Sequence, residues 1–136
     1  MAVEIQGRVL IDGAAAGRVL RLAEPISFWG GVDPTSGTVI QPAHADAGRN
    51  VAGTVLALPG TVGSSSSSAI MLELVREGVA PAAVVLAEAD AILALGVVVA
   101  GELGLPCPPV LVADIDAMRT GMDAEISAGG IIRLGQ

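Results

Sequence analysis

Residues 51–86, VAGTVLALPGTVGSSSSSAIMLELVREGVAPAAVVL, decide the fold. Residues 51–58 form a continuous apolar run ending at Pro59 and Gly60, the pattern of a strand buried on both faces. From residue 69 to 77 the apolar Ile70, Leu72, Leu74 and Val75 share a helical repeat with Glu73, Arg76 and Glu77, and Gly78 and Pro81 stop it. Residues 83–86 are a second buried run. A helix between two buried strands implies a parallel crossover.

The same pattern continues outward. A second helix runs from Asp90, a good N-cap, to Leu103, with Gly104 as its stop, and residues 110–112 give another strand. The C-terminal part reads as a helical turn over 114–118 and a hairpin of residues 124–127 and 131–134 around Gly129 and Gly130. Toward the N-terminus, strands over 4–11 and 17–22 flank the turn signal Asp12-Gly13 and predict a hairpin. Residues 23–50 carry Pro25, Gly30, Gly31, Pro34, Gly37, Pro42 and Gly48, too many breakers for a helix, and one short apolar piece at 38–40. A loop of that length in a compact domain is functional or covered. The order predicts an α/β domain with a mixed sheet and an added β layer, a single domain over residues 1–136 with no repeat and no linker.

Composition narrows the function. The 136 residues are 52% hydrophobic, but no apolar segment approaches the ~20 residues needed to cross a bilayer, so no membrane role is expected. An acid stands near the N-terminus where a secretory signal needs a basic region, which predicts a cytoplasmic protein. The net charge is −7, with seven Arg scattered singly and no Lys, the wrong field for nucleic acid. One Phe, one Trp and no Tyr leave the core to aliphatic residues, and leftover apolar surface then points to a partner. The single Cys107 cannot form an internal disulfide or hold zinc or an iron–sulfur cluster alone.

The densest chemical signal is the run from Gly60 to Ser68. Five consecutive serines also read as a flexible linker or as helix caps. A linker joins domains, however, and this run interrupts a strand-loop-helix unit at the carboxyl end of a strand, where open α/β sheets place their ligands. The amides and positive end of the following helix favour an oxyanion there. A serine-hydrolase triad fits poorly, because Gly63-Ser64 is not followed by the G-x-S-x-G pattern and His44, the only histidine, reads as a surface loop residue.

Two further stretches carry a resemblance. Residues 26–40, ISFWGGVDPTSGTVI, and the series VAGTVLALPGTVGSSSSS, LELV, VVLAEAD and ILALGVVVAGELG resemble the small subunit of aconitase X enzymes over about residues 20–113. The resemblance implies a swivelling β/β/α domain similar to the mobile C-terminal domain of aconitase, closing over iron or an iron–sulfur cluster carried by a large catalytic subunit. It also implies a hydro-lyase that dehydrates a small hydroxy acid, cis-3-hydroxy-L-proline by preference, with the phosphomevalonate dehydratase small subunit as the near alternative. A non-catalytic regulatory or scaffolding swivel domain is the alternative of another class. The family's serine base falls on Ser64. Aconitase has Gly-Ser-Ser-Arg here, its arginine gripping a carboxylate, but this chain has Ser66 at that position. Substrate binding is therefore expected from Gly63, Ser65 and Ser66 through their amides and hydroxyls, or from the partner. Ser67 and Ser68 are expected to serve as caps. The loop over 27–37, which carries both aromatics, is expected beside the serine loop.

With one cysteine against the usual three or four thiolates, the chain purified alone is expected to be colourless and free of iron. Iron and absorbance measurements check this, and a brown, iron-loaded preparation overturns it.

Overall fold

The computed structural model describes residues 3–62 and 66–135. Among them are eight strands: β1 (Val3–Gln6), β2 (Arg8–Ile11), β3 (Ala15–Arg21), β4 (Val55–Leu58), β5 (Ala83–Leu86), β6 (Val110–Val112), β7 (Asp123–Ser127) and β8 (Ile131–Gly135). A single turn, α1 (Phe28–Gly31), and two longer helices, α2 (Ser67–Glu77) and α3 (Ala91–Glu102), complete the elements.

The strands form one sheet in the order β1-β8-β7-β3-β4-β5-β6-β2. Strands β3 to β6 are parallel, while β7, β8, β1 and β2 pair antiparallel. The two ends of this order, β1 and β2, are consecutive in the chain with only Gly7 between them, so the sheet rolls into a near-barrel. Closure depends on a close backbone approach. The Gly7 amide donates to the Gly130 carbonyl at 2.8 Å. Gly130 has φ +93°, and a Cβ there would stand 2.8 Å from the Gly7 carbonyl oxygen.

The period-2 alternation of the parallel strands divides the interior into two cores. Val19, Val55, Ala57, Ala83, Val85 and Leu111 point into the near-barrel, where they meet Ile126, Ile132 and Leu134 of β7 and β8. Their neighbours Leu20, Leu56, Leu58, Val84, Leu86 and Val110 point the other way, against α2 and α3. The registers Val55↔Ala83 and Leu56↔Val84 keep each set on its own face.

Helix α2 buries Ile70, Met71, Leu74 and Val75 and keeps an Arg76–Glu73 pair at 3.6 Å on its wet side. It ends at Gly78, left-handed at φ 74°, whose amide returns to Leu74 and Val75. It starts at Ser67, with Ser66 as N-cap. Ser67 is thus the first helical residue, buried, and Ser68 the second, so neither stands at the N-cap position where a cap was expected.

Three sequence expectations need correction. The Asp12-Gly13 turn does not make a hairpin: β2 pairs with β6, and β3 pairs with β4 and β7. The Asp12 carboxylate instead accepts the amides of Gly13 and Gly129, tying the turn to the tip of the terminal hairpin. Strand β4 begins at Val55 and not at residue 51, because Val51 opens a turn in which the Thr54 amide and hydroxyl both donate to its carbonyl. The segment 114–118 forms turns, with the Asp116 amide on the Asp114 carboxylate, and no helix.

The long segment between β3 and β4 is the crossover joining two parallel strands. It buries Phe28, Val32, Val39 and Val51 in the helix-side core, the role a helix's apolar stripe plays in the other two crossovers.

Helices α2 and α3 cross at Gly96, where an added Cβ would lie 2.3 Å from the Ser68 carbonyl oxygen. Gly→Ala in a helix ordinarily gains about 1 kcal/mol, but forcing these backbones apart costs about 1–3 kcal/mol. Gly96→Ala is therefore expected to lower the melting temperature. Gly101→Ala, whose Cβ would make an ordinary 3.5 Å contact with Cys107 Sγ, should raise it. Denaturant melts of both variants check the pair, and a stabilised Gly96→Ala refutes the close crossing.

Candidate active site at the carboxyl edge of the parallel strands

Parallel strands deliver their following loops to a common edge. Residues 22–27 after β3, 59–62 after β4 and 87–90 after β5 meet there, and α2 and α3 both begin there. The loops are stitched together. Ile26 and Thr61 form a parallel bridge, in which the Val62 amide donates to the Ile26 carbonyl at 3.1 Å. Thr61 Oγ1 donates to Asp90 Oδ2, while Asp90 Oδ1 accepts the Ile92 and Leu93 amides at 3.0 Å. One carboxylate thereby caps α3 and holds the strand end that leads into the serine run.

The predicted site residues Gly63, Ser64 and Ser65 lie outside the described residues. Only three residues separate Val62 at the rim from Ser66, the α2 N-cap, so both attachments of the serine loop are fixed. Ser66 is half-buried at the helix start. The first turn of α2 contains no acidic residue to compete for its amides.

The FWGG segment sits beside this rim. Ile26 reaches Thr61, and α1 packs against α2. The two aromatics divide the work: Phe28 is fully buried, and Trp29 is 62% exposed. The Ser27 hydroxyl donates to the Trp29 carbonyl at 2.9 Å, and the Ser27 amide donates to Gln41 Oε1. Farther along, the Thr35 amide and hydroxyl both donate to Asp33 and hold its carboxyl below the usual carboxylate range.

His44 is not the surface residue the sequence implied. It is 5% exposed, its Nδ1 accepts the Asp46 amide at 3.0 Å, and its Nε2 lies 3.3 Å from the Glu24 carbonyl. With Nδ1 accepting, the proton belongs on Nε2, and the ring is a cross-brace of the crossover. Cys107 is likewise structural, with Sγ 3.2 Å from the Leu105 carbonyl and 3.4 Å from that of Val97. Among the described residues no three His, Cys, Asp or Glu side chains gather to hold a metal ion. No helix among them is long and apolar enough to cross a membrane.

Reasoning from sequence gave Thr61 and Glu88 no role. Thr61 forms the clamp with Asp90, and the Glu88 carboxylate lies 4.0 Å from where a Cβ on Gly60 would sit. The AEAD stretch around Glu88 carried a signal for this, but only Asp90 could be given a part from its helix-starting position.

The hydroxyl-rich run of the sequence thus joins the end of a parallel strand to a helix N-terminus, at the edge where α/β sheets place their ligands. The aconitase X swivel domain model matches residues 4–134, and the chain belongs to that family. It is 50% identical over 96 residues to the cis-3-hydroxy-L-proline dehydratase of Pseudomonas aeruginosa, a match covering 71% of this chain and 17% of that protein. It is 44% identical over 99 residues to the phosphomevalonate dehydratase small subunit of Methanocella arvoryzae, covering 73% of this chain and 75% of that one. The crystal structure of aconitase X from Thermococcus kodakaraensis in its holo form superposes with a TM-score of 0.90 at 29% identity, over 98% of this chain and 99% of that chain. The expected swivelling β/β/α architecture is therefore the observed one.

Asp90→Ala removes both the cap and the Thr61 anchor. It is expected to cost at least the ~1 kcal/mol of a helix cap and to raise amide exchange at Ile92 and Leu93. Asp90→Asn, which keeps an acceptor, should retain most of the cap and of the amide protection. Hydrogen-exchange NMR reads both, and unchanged protection in Asp90→Ala sinks the clamp.

Proposed function

We propose that this chain is the small subunit of an aconitase X-type dehydratase, one swivel domain over residues 1–136 that works in the cytoplasm with a large catalytic subunit. The observation that carries the reading is the serine run anchored at the carboxyl edge of the parallel strands. The stated likeness to dehydratases supports it.

In this reading Ser64 takes the proton next to the carboxylate of a hydroxy acid, and Gly63, Ser65 and Ser66 hold that carboxylate through amides and hydroxyls. A serine hydroxyl is far too weak a base in water. It becomes one only where amide donors and a nearby positive charge stabilise the alkoxide in a dry site. In this reading the iron or iron–sulfur cluster belongs to the large subunit, where it would supply Lewis acidity.

The preferred substrate is cis-3-hydroxy-L-proline. A phosphorylated substrate calls for a cationic grip, and no Arg lies in residues 22–27, 59–62 or 87–90. Arg21, the nearest in sequence, directs Nη1 to the Ile115 and Met118 carbonyls at 2.7 and 3.3 Å. The second reading, a phosphomevalonate dehydratase small subunit, draws on the 44% identity to one such subunit. It requires the large subunit to bring the cation.

With the large subunit reconstituted, Ser64→Ala is expected to lower turnover of cis-3-hydroxy-L-proline by at least the ~10²–10⁴-fold of a positioned proton transfer, with fold and association intact. Ser65→Ala should cost less, and Ser68→Ala should leave turnover near normal. Steady-state kinetics on each variant decides. Near-normal Ser64→Ala activity beside a dead variant of another serine moves the base. Turnover of phosphomevalonate in place of hydroxyproline selects the second reading, and full activity in every variant rejects a catalytic loop.

A further inference from the structure

Away from the serine loop, the strongest departure from an ordinary surface is α3. A surface helix usually turns one stripe to the core and a polar one to water, but α3 reads AILALGVVVAGE, and its sole charge is the last residue. Its inner stripe, including Leu93 and Val97, packs into the helix-side core. The outer stripe is equally apolar and faces out: Ile92, Leu95, Val98, Val99 and Leu103 are 39–62% exposed. It borders a groove of about 380 Å³ between α3 and β2, lined in part by Leu10, Ile11 and Val98. Scattered exposed aliphatics need no account, whereas a contiguous stripe marks a surface that something covers.

We propose that this stripe is the seat of the large subunit, an inference that rests on the small-subunit reading above. Continuity with the site is the first argument. The stripe begins at Ile92, whose amide is held by Asp90, and Asp90 also holds Thr61. A partner completing the site must arrive at this rim, and from there the apolar track continues along α3. Trp29 and Val62, 62% and 52% exposed, add apolar area around the same mouth. Charge is the second argument. Each copy carries −7, so pairing two copies sets like fields against each other and disfavours a second copy as the occupant. The third is the Pseudomonas relative, where the matching stretch is 17% of a single longer protein. There the domain and the rest of the enzyme share one chain, which keeps the two in permanent proximity.

The double variant Leu95→Glu/Val99→Lys tests this. It places opposite charges at i and i+4 in the favourable order, so the helix keeps its stability while the stripe becomes polar. Binding of the full chain to the large subunit is measured by titration calorimetry, with melting of the isolated chain as the control for folding. Val3→Glu, on the antiparallel half of the sheet, is the matched surface control. The expected result is a loss of affinity of about thirty-fold or more for the double variant, the scale of lost interface anchors, with unchanged binding for Val3→Glu. Equal affinity of the double variant and the unmodified chain overturns the seat, as does an equal loss in Val3→Glu. Self-association of the isolated chain that the double variant abolishes gives the stripe to a second copy and also overturns it. If the unmodified chain does not bind the large subunit at all, the small-subunit reading itself falls.

Discussion

A parallel strand cannot be left wet on either face, because the connection that makes it parallel must lie back against the sheet. Strands β3 to β6 obey this constraint with one core on each side. Two of the three crossovers satisfy it with helices. The first satisfies it with a loop, so Phe28, Val32, Val39 and Val51 must supply the apolar cover that a helix would have given. The density of side-chain bonds in that loop follows. Without a helical ladder its backbone groups need other partners, and Asp33, Gln41, His44, Asp46 and Asn50 provide them.

The same constraint creates the site. The segments after three of the parallel strands share one edge, and two helices begin there. Asp90 then converts proximity into rigidity, since its two oxygens serve different segments. Preorganisation of this kind is what the proposed serine base would demand, because any energy spent ordering the loop during reaction would be taken from catalysis.

Much of this was legible in the residues. The runs at 83–86 and 110–112 and the terminal hairpin were readable because buried strands are short, apolar and punctuated by Gly or Pro. The α3 boundaries were readable from Asp90 and Gly104. What failed was the pairing of the N-terminal strands. Asp12-Gly13 is a genuine turn signal, but a turn signal does not say which strands pair beyond it, and barrel closure through Gly7 and Gly130 is decided by contacts over a hundred residues apart in the chain. The burial of His44 was equally hidden, because its partners are backbone groups of Glu24 and Asp46 that carry no sequence mark. For the site, the serine run and the helix start stood out as chemistry, while the Thr61–Asp90 clamp joins residues 29 apart and follows only from the register of β4 and β5.

Strands β1 and β8 lie side by side and antiparallel, with Val3 opposite Leu134. The polypeptide therefore enters and leaves the folded unit at neighbouring points, and nothing in the interior has to be rethreaded when more chain is attached at either place. Such a unit behaves like a pendant on a single hook. Chain joined to β1 or to β8 at this end would leave the unit on the same side.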